Sequence, residues 1–328
     1  MSTKAQLSDI EQNPCRDDFP LLAAHPEMVF LDSAATSQRP ASVLDAQRTF
    51  YETMNANPLR GLYRLSIDAT DAIERTRAHV ARFIAAVDEG GNPQKEQIVF
   101  TRNTSESLNL VASSLGRTIL SPGDEVVISI MEHHSNLIPW QQVCAATGAR
   151  LVYLRLDDDF NISQDELEAK LGPRTKIVSL TQVSNVLGTQ NDIAAVARRA
   201  HEMGAYLVVD GAQGAPHVRS SVREMGCDLY AFSAHKMMGP MGIGVLWGTA
   251  AVLELMAPFL TGGEMIDSVT ETDAVWAPVP QKFEAGTQDA AGIYAFDAAL
   301  SYLEGLGMEA VERRERELAR YLTERLAS

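Results

Sequence analysis

The sequence predicts an α/β protein: a mostly parallel central sheet with helices on both faces, followed by the start of a smaller C-terminal unit. Three observations predict it. Short runs rich in Val, Ile, Leu and Tyr alternate with longer amphipathic stretches. The runs are near-continuously apolar, as in strands covered by helices on both faces. Polar residues gather just after the runs, where open α/β sheets keep their ligands.

In chain order, "EQIVFT" (96–101) is the first strand. "TSESLNLVASSLG" (104–116) follows as a helix, opened by the capping types Thr104 and Ser105 and stopped by Gly116. "DEVVISI" (124–130) and "ARLVYLRL" (149–156) are strands. In "SQDELEAKLG" (163–172), a helix, Ser163 and Glu166 have the spacing of a capping box. "TKIVSLTQV" (175–183) is a strand. "DIAAVARRAHEMG" (192–204) is a helix with Ile193, Val196, Ala197 and Ala200 on one face and Gly204 as its stop. "AYLVVDGAQ" (205–213), "DLYAFSAHK" (228–236) and "GIGVLWG" (242–248) are the remaining strands of the sheet. The glycine-rich "GPMGIGVLWG" runs into a strand and opens no helix, so it is no dinucleotide fingerprint; its glycines allow close backbone packing.

"DAAGIYAFDAALSYLEGLG" (289–307) and "MEAVERRERELARYLTERLAS" (308–328) read as two helices, the second apolar at Ala310, Val311, Leu318, Leu322 and Leu326. A length of 328 residues suggests two domains at roughly 150 residues each. We expect an N-terminal segment at 1–36, a large α/β domain at 37–288, and at 289–328 a small domain that is incomplete, since the sequence stops as a new helical layer begins.

The formal net charge of −15 argues against a general nucleic-acid binder, which needs clustered Lys and Arg. A local pocket of dipoles can still hold a small phosphate on an acidic protein. Cys15, Cys144 and Cys227 are odd in number and far apart, which suits neither a disulfide framework nor a zinc site and fits a reducing cytoplasm. Cys144 falls in a helix and Cys227 beside a strand, where small buried thiols serve as core. The N-terminus has no signal-peptide core, and no run of about 18 apolar residues would span a membrane.

The polar residues after the strands carry the functional reading. Thr104 and Ser105 follow "QIVF", Glu132, His133 and His134 follow "VVISI", and Ser184 and Asn185 follow "IVSLTQV". Asp210, Gly211, Ala212 and Gln213 follow "YLVV"; Ser233, His235 and Lys236 follow "LYAF". Buried strand ends keep polar groups only where something satisfies them, and one shared ligand would do so. Pyridoxal phosphate needs a lysine for its aldehyde, an acid for its ring nitrogen, donors for its phosphate and a group on its ring face. Lys236 and Asp210 supply the first two. Thr104 and Ser105 at a helix start, with Ser233 and His235, supply the donors, His133 lies on the ring, and Gln213 reaches the ring oxygen.

Each residue also has an ordinary reading: Asp210 as a turn residue, Lys236 as a solvated lysine, Thr104 and Ser105 as helix caps. "EHHSN" lacks the spacing of a His-based metal motif, and we expect no metal. One cofactor accounts for Asp210, Gln213, Ser233, His235 and Lys236 together, where the ordinary readings need a separate reason for each.

"VDGAQ" followed by "FSAHKMMGPMGIGVL" closely resembles the class V aminotransferases, fold-type I pyridoxal-phosphate enzymes. "MEHHSNLIPWQ", "VSNVLGT", "RGLYRLS" and "FEAGTQ" narrow the resemblance to the SUF-type cysteine desulfurases, and it runs from "FLDSAAT" (30–36) to at least residue 300. It implies an enzyme that converts L-cysteine to L-alanine and passes the sulfur to an acceptor protein for iron–sulfur cluster assembly. Lys236 is then the Schiff-base lysine, Asp210 the partner of the pyridine nitrogen, and Gln213 that of the ring oxygen. His133 stacks on the ring and shuttles protons, Thr104, Ser105, Ser233 and His235 hold the phosphate, and Asn185 faces the substrate. Gly286 and Thr287 in "FEAGT" would reach the cofactor of a second subunit, which implies a homodimer.

The departures matter as much. The family's nucleophilic cysteine lies in an "R-x-G-x-H-C"-like motif, with a carboxylate-binding arginine beyond it; both would follow Ser328, and none of the three cysteines stands in a matching context. "RNTSES" and "PLRGLYRLS" vary from the commonest forms, and Tyr63 takes the place of a usual histidine at the substrate entrance. We therefore expect a desulfurase whose sulfur transfer is impaired in this chain. Another class V enzyme, such as a kynureninase-like hydrolase or a transaminase, or a non-catalytic dimeric scaffold are the alternatives.

Overall fold

Seven strands form the central sheet: β1 (Ile98–Thr101), β2 (Glu125–Ser129), β3 (Arg150–Leu154), β4 (Thr175–Thr181), β5 (Tyr206–Asp210), β6 (Leu229–Ser233) and β7 (Gly244–Gly248), in the order β1-β7-β6-β5-β4-β2-β3. The computed structural model describes residues 13–59 and 61–327; readings that fall on residues 1–12, Arg60 and Ser328 lie outside them. Every strand expected from the sequence is present, each somewhat shorter than its apolar run. Pairing is parallel from β3 through β6, while β7 runs antiparallel to both β6 and β1. The C-terminal ends of β1, β2, β4, β5 and β6 therefore share one edge of the sheet.

The near-continuous apolar runs have the expected cause. In β2, β6 and β7 every residue is buried. Alternate residues serve opposite cores. Val127, Val178, Val209 and Phe232 pack on one face with Ile73, Ile193, Val196, Ala200 and Phe296. Val126, Ile128, Ile177 and Val208 pack on the other with Leu108, Leu115, Trp140 and Val143. Burying a side chain of this size is worth about 1.5–3 kcal/mol, so the two-sided sheet is the main source of stability.

Several helix ends differ from the sequence reading. The helix after β1 is capped by Asn103, whose side chain accepts from Glu106 N–H at 2.9 Å, and not by Thr104 or Ser105. Gly116 does not end it; the helix passes through a π-turn at Ala112–Gly116 and continues to Ile119. Only half of the expected capping box forms, because Ser163 accepts from Glu166 N–H while the Glu166 carboxylate turns to Arg155 N–H. In the Ile193–Glu202 helix the four expected apolar residues are buried.

The Ala290–Leu306 helix packs on the Ala41–Thr53 and Arg64–Phe83 helices. Met308–Leu326 forms the last helix; Ala310 and Val311 pack beside Leu306, but Leu318, Leu322 and Leu326 on its apolar stripe are exposed. No helix among the described residues is long and apolar enough to cross a membrane.

A buried ion pair ties the Arg64–Phe83 helix to β1 and to the segment that precedes the Ala290–Leu306 helix. Arg77 is 1% exposed and donates to both carboxylate oxygens of Glu284, at 2.7 and 2.9 Å. It also donates to the Ile98 carbonyl at 2.7 Å, and Glu284 accepts Phe100 N–H at 2.7 Å. Burial alone would lower the guanidinium pKa, but Glu284 and Glu74 together push it up. Arg77→Met strands a buried carboxylate and is expected to cost about 3–5 kcal/mol, read as a lower urea midpoint; adding Glu284→Gln should recover part of it.

Candidate active site

Nine of the ten residues singled out as cofactor-binding line a single cleft of about 560 Å³ at the C-terminal strand edge: Thr104, Ser105, His133, Asn185, Asp210, Gln213, Ser233, His235 and Lys236. The tenth, Thr287, does not line it. Thr287 is exposed on the loop before the Ala290–Leu306 helix, where Gly286, with φ of 78°, donates to the Gly263 carbonyl at 2.9 Å.

Asp210 ends β5 and is 3% exposed. Its carboxylate accepts Ala212 N–H at 2.9 Å. Burial raises its pKa against the pull of that bond and of Lys236 and His133. Lys236 sits one short turn beyond β6. Burial lowers its pKa, opposed by Asp210. Each group thus feels the other's charge, yet no ion pair joins them among the described residues. Both groups line the cleft with no ion pair between them, so one ligand there can bond to both.

The phosphate donors cluster as well. With Asn103 serving as the cap, the hydroxyls of Thr104 and Ser105 are not used for capping and engage other cleft hydroxyls. Thr104 Oγ1 lies 2.6 Å from Ser233 Oγ, and Thr104 N–H donates to that oxygen at 2.7 Å. Ser105 Oγ lies 2.5 Å from Ser135 Oγ. Gly244 permits this arrangement, because a Cβ there would stand 2.5 Å from Asn103 Cα and push the helix start away. The glycine-rich run thus packs backbones closely, as its sequence suggested.

His133 Nδ1 accepts Ser135 N–H at 3.1 Å, which places the ring proton on Nε2 in the neutral form. Burial and, to a smaller extent, Lys236 lower its pKa, opposed by Asp210, so the neutral form is favoured. Gln213 Nε2 donates to the Ala34 carbonyl at 2.8 Å. His235 is held through Nδ1, 3.2 Å from Thr36 Oγ1. Asn185 is exposed at the mouth. Glu132 faces inward: Asn136 Nδ2 donates to it at 2.7 Å, and burial pushes its pKa up to about 7. Ser184 is spent on its own turn, accepting Leu187 N–H at 3.1 Å. His134 and Tyr63 do not line the cleft.

Sequence reasoning missed Asn103, Ser135 and the segment bearing Asp32, Ala34 and Ala35, all of which line the cleft. Asn103 carried a usable signal, since Asn ranks with the best N-caps. Ser135 stood in plain view in "EHHSN". The 32–35 segment had no local signal, because it meets residues nearly 200 positions away.

The three cysteines lie elsewhere. All are buried, and burial raises each thiol pKa, Cys144 to about 11. None lines the cleft.

This chain belongs to the aminotransferase class-V family, whose model matches residues 29–328. Within that family its relatives are cysteine desulfurases. A probable cysteine desulfurase of Halalkalibacterium halodurans is 49% identical over 92% of this chain and 72% of the relative. A cysteine desulfurase of Dickeya dadantii is 46% identical over 95% of this chain and 75% of its own length. Among solved structures, the cysteine desulfurase CsdA of Escherichia coli, in its S-sulfonic acid form, superposes with a TM-score of 0.88 at 39% identity, covering 97% of this chain and 78% of that one. The apo cysteine desulfurase of Thermococcus onnurineus NA1 does so with 0.89 at 38% identity, covering 95% and 76%.

Proposed function

We propose that this chain is a pyridoxal-phosphate-dependent cysteine desulfurase, with Lys236 and Asp210 as the pair that grips the cofactor. The observation that carries the proposal is that Asp210 and Lys236 line one cleft, with no ion pair between them among the described residues, beside a cluster of hydroxyl donors. Family membership and relatives named for this activity support it. The chemistry of the lining fits the group: an amine, an acid and hydroxyl and N–H donors at a helix start are the partners its aldehyde, ring nitrogen and phosphate take. When bound, pyridoxal phosphate supplies an aldehyde for an amine and a cationic ring that withdraws electrons from the substrate's Cα.

Asp210 would hold the ring nitrogen in its protonated form. Lys236 would hold the aldehyde and serve as the base for the substrate's Cα proton. His133 would cover the group and hold or pass a proton through Nε2. Thr104, Ser105, Ser233 and His235 hold the phosphate, Gln213 serves the ring oxygen, and Asn185 faces the substrate. Gly286 and Thr287 serve the cofactor of a second copy in a homodimer; Thr287 is exposed and stands outside its own chain's cleft. We place the cofactor-binding unit at about 37–288, with the 32–35 segment adding to its cleft and the Ala290–Leu306 helix to its core.

Sulfur transfer needs a thiolate at the substrate sulfur. The chain's own thiols are buried and held protonated, so the thiolate must come from elsewhere. We place the acceptor among SUF-type proteins of iron–sulfur assembly in the cytoplasm.

The test is to incubate the cofactor-loaded chain with L-cysteine or L-kynurenine, with and without a small thiol. Slow, thiol-dependent alanine from cysteine and none from kynurenine is expected. Fast alanine release without added thiol would refute the sulfur-transfer argument. Alanine from kynurenine would replace the reading with a hydrolase, and a colourless chain that takes up no cofactor would make it a scaffold.

A further inference from the structure

Residues 32–40 cross the turn that carries Lys236 as a strap that opens in a tight turn at Asp32–Thr36, and one side chain of the strap grips the Lys236 turn twice. The Ser37 hydroxyl donates to the His235 carbonyl at 3.0 Å and accepts Met238 N–H at 2.7 Å. Its single oxygen thereby fixes the backbone one residue before Lys236 and two residues after it. Ser37 is 7% exposed, so water does not compete for these bonds. Its neighbours reinforce the grip. Ser37 N–H and the Thr36 hydroxyl also donate to the His235 carbonyl, at 3.0 and 3.1 Å. Arg39 donates through Nε to the Gly239 carbonyl at 3.1 Å and through Nη1 to Ser37's own carbonyl at 2.7 Å.

The turn needs such a grip. Met238 has φ of 65°, the left-handed region, which is costly for a residue with a long side chain. Its side chain packs beside Phe19, Tyr302 and Leu306, so it is also drawn toward the C-terminal helices. Without an acceptor for Met238 N–H, the backbone would relax toward ordinary dihedrals and carry Lys236 with it. Approach of an amine to a bound carbonyl depends on placement to a fraction of an ångström.

We propose that Ser37 is a positioning residue for Lys236, clamping the turn from both sides so that the amine stays aimed into the cleft. The proposal rests on Lys236 being the residue that bonds the cofactor. It concerns a residue outside the cleft lining, acting only through the backbone.

The test compares the wild-type chain with Ser37→Ala and Ser37→Thr, the second keeping the hydroxyl. In the cofactor-free chains, amide hydrogen exchange at Met238 is measured. In the loaded chains, the pH midpoint of the yellow absorbance and the cofactor dissociation constant are measured. Loss of one well-placed buried hydrogen bond predicts roughly tenfold faster exchange at Met238 in S37A and about fivefold weaker cofactor retention, with a displaced pH midpoint. S37T should return all three toward wild type. Unchanged exchange in S37A would overturn the grip. Faster exchange with unchanged midpoint and retention would also overturn the proposal, since the grip would then not reach Lys236. If the wild-type chain takes up no cofactor at Lys236, the functional reading fails, and the exchange result still decides the grip on its own.

Discussion

Lys236→Ala is expected to leave a folded chain that no longer holds its cofactor covalently: pyridoxal phosphate should wash off on gel filtration, and turnover of cysteine should fall by about 10³-fold or more. Among the described residues Lys236 is the one lysine lining the cleft, so no other amine among them can take its place there. It also carries two tasks, bonding the aldehyde and moving the Cα proton, and a general base alone contributes about 10²–10⁴-fold. The same reasoning predicts a pH signature. Burial holds the amine below the usual lysine range, so it is free of its proton at lower pH than a surface lysine. Cofactor capture should therefore rise with pH through a midpoint below that range. Lys236→Arg keeps a cation but offers no free amine, and should be as inactive as the alanine variant. Partial rescue of Lys236→Ala by added methylamine would separate lost chemistry from lost structure.

The second large effect is at Asp210. Asp210→Asn keeps the shape and the capacity to accept from Ala212 N–H, but an amide cannot hold a proton on the ring nitrogen. We expect cofactor still to bind and colour to form, with kcat lower by about 10²–10⁴-fold. Asp210→Glu should fall between, since it keeps the charge and misplaces it. Stability should move the other way. Burial raises the Asp210 pKa on folding, so the folded, cofactor-free chain holds that proton more tightly than the unfolded chain does. That contribution is fully present below the ordinary aspartate pKa and is lost as pH rises through the raised one. At neutral pH the cofactor-free Asp210→Asn chain should thus be as stable as wild type or more so, measured by urea unfolding. A residue that costs stability yet is needed for turnover is what a ligand-binding carboxylate looks like.

Much of this was legible because buried parallel strands leave continuous apolar runs, and the polar residues after them fall at one edge by topology alone. Asp210 and Lys236 were readable from that pattern, since Asp210 directly follows such a run and Lys236 follows another by one short turn. Helix ends were less legible. Asn103, Thr104 and Ser105 are all good capping types in a row, and which one caps depends on Ser233, 129 residues away, engaging Thr104. Gly116 looked like a stop, yet the helix absorbs it through a π-turn where it packs against Val143. The strap at 32–40 was unreadable for its role at Lys236, because its bonds to His235, Met238 and Gly239 span about 200 residues and leave no periodic trace. The apolar stripe of the last helix was read correctly as a pattern, but pattern alone does not say what covers Leu318, Leu322 and Leu326.

The most direct measurement is chemical. The chain is loaded with pyridoxal phosphate, reduced with borohydride, digested, and the pyridoxyl-bearing peptide sequenced by mass spectrometry. The account predicts stoichiometric label on Lys236 and on no other lysine. Label spread over surface lysines, or none after reduction of a chain exposed to excess cofactor, would contradict it.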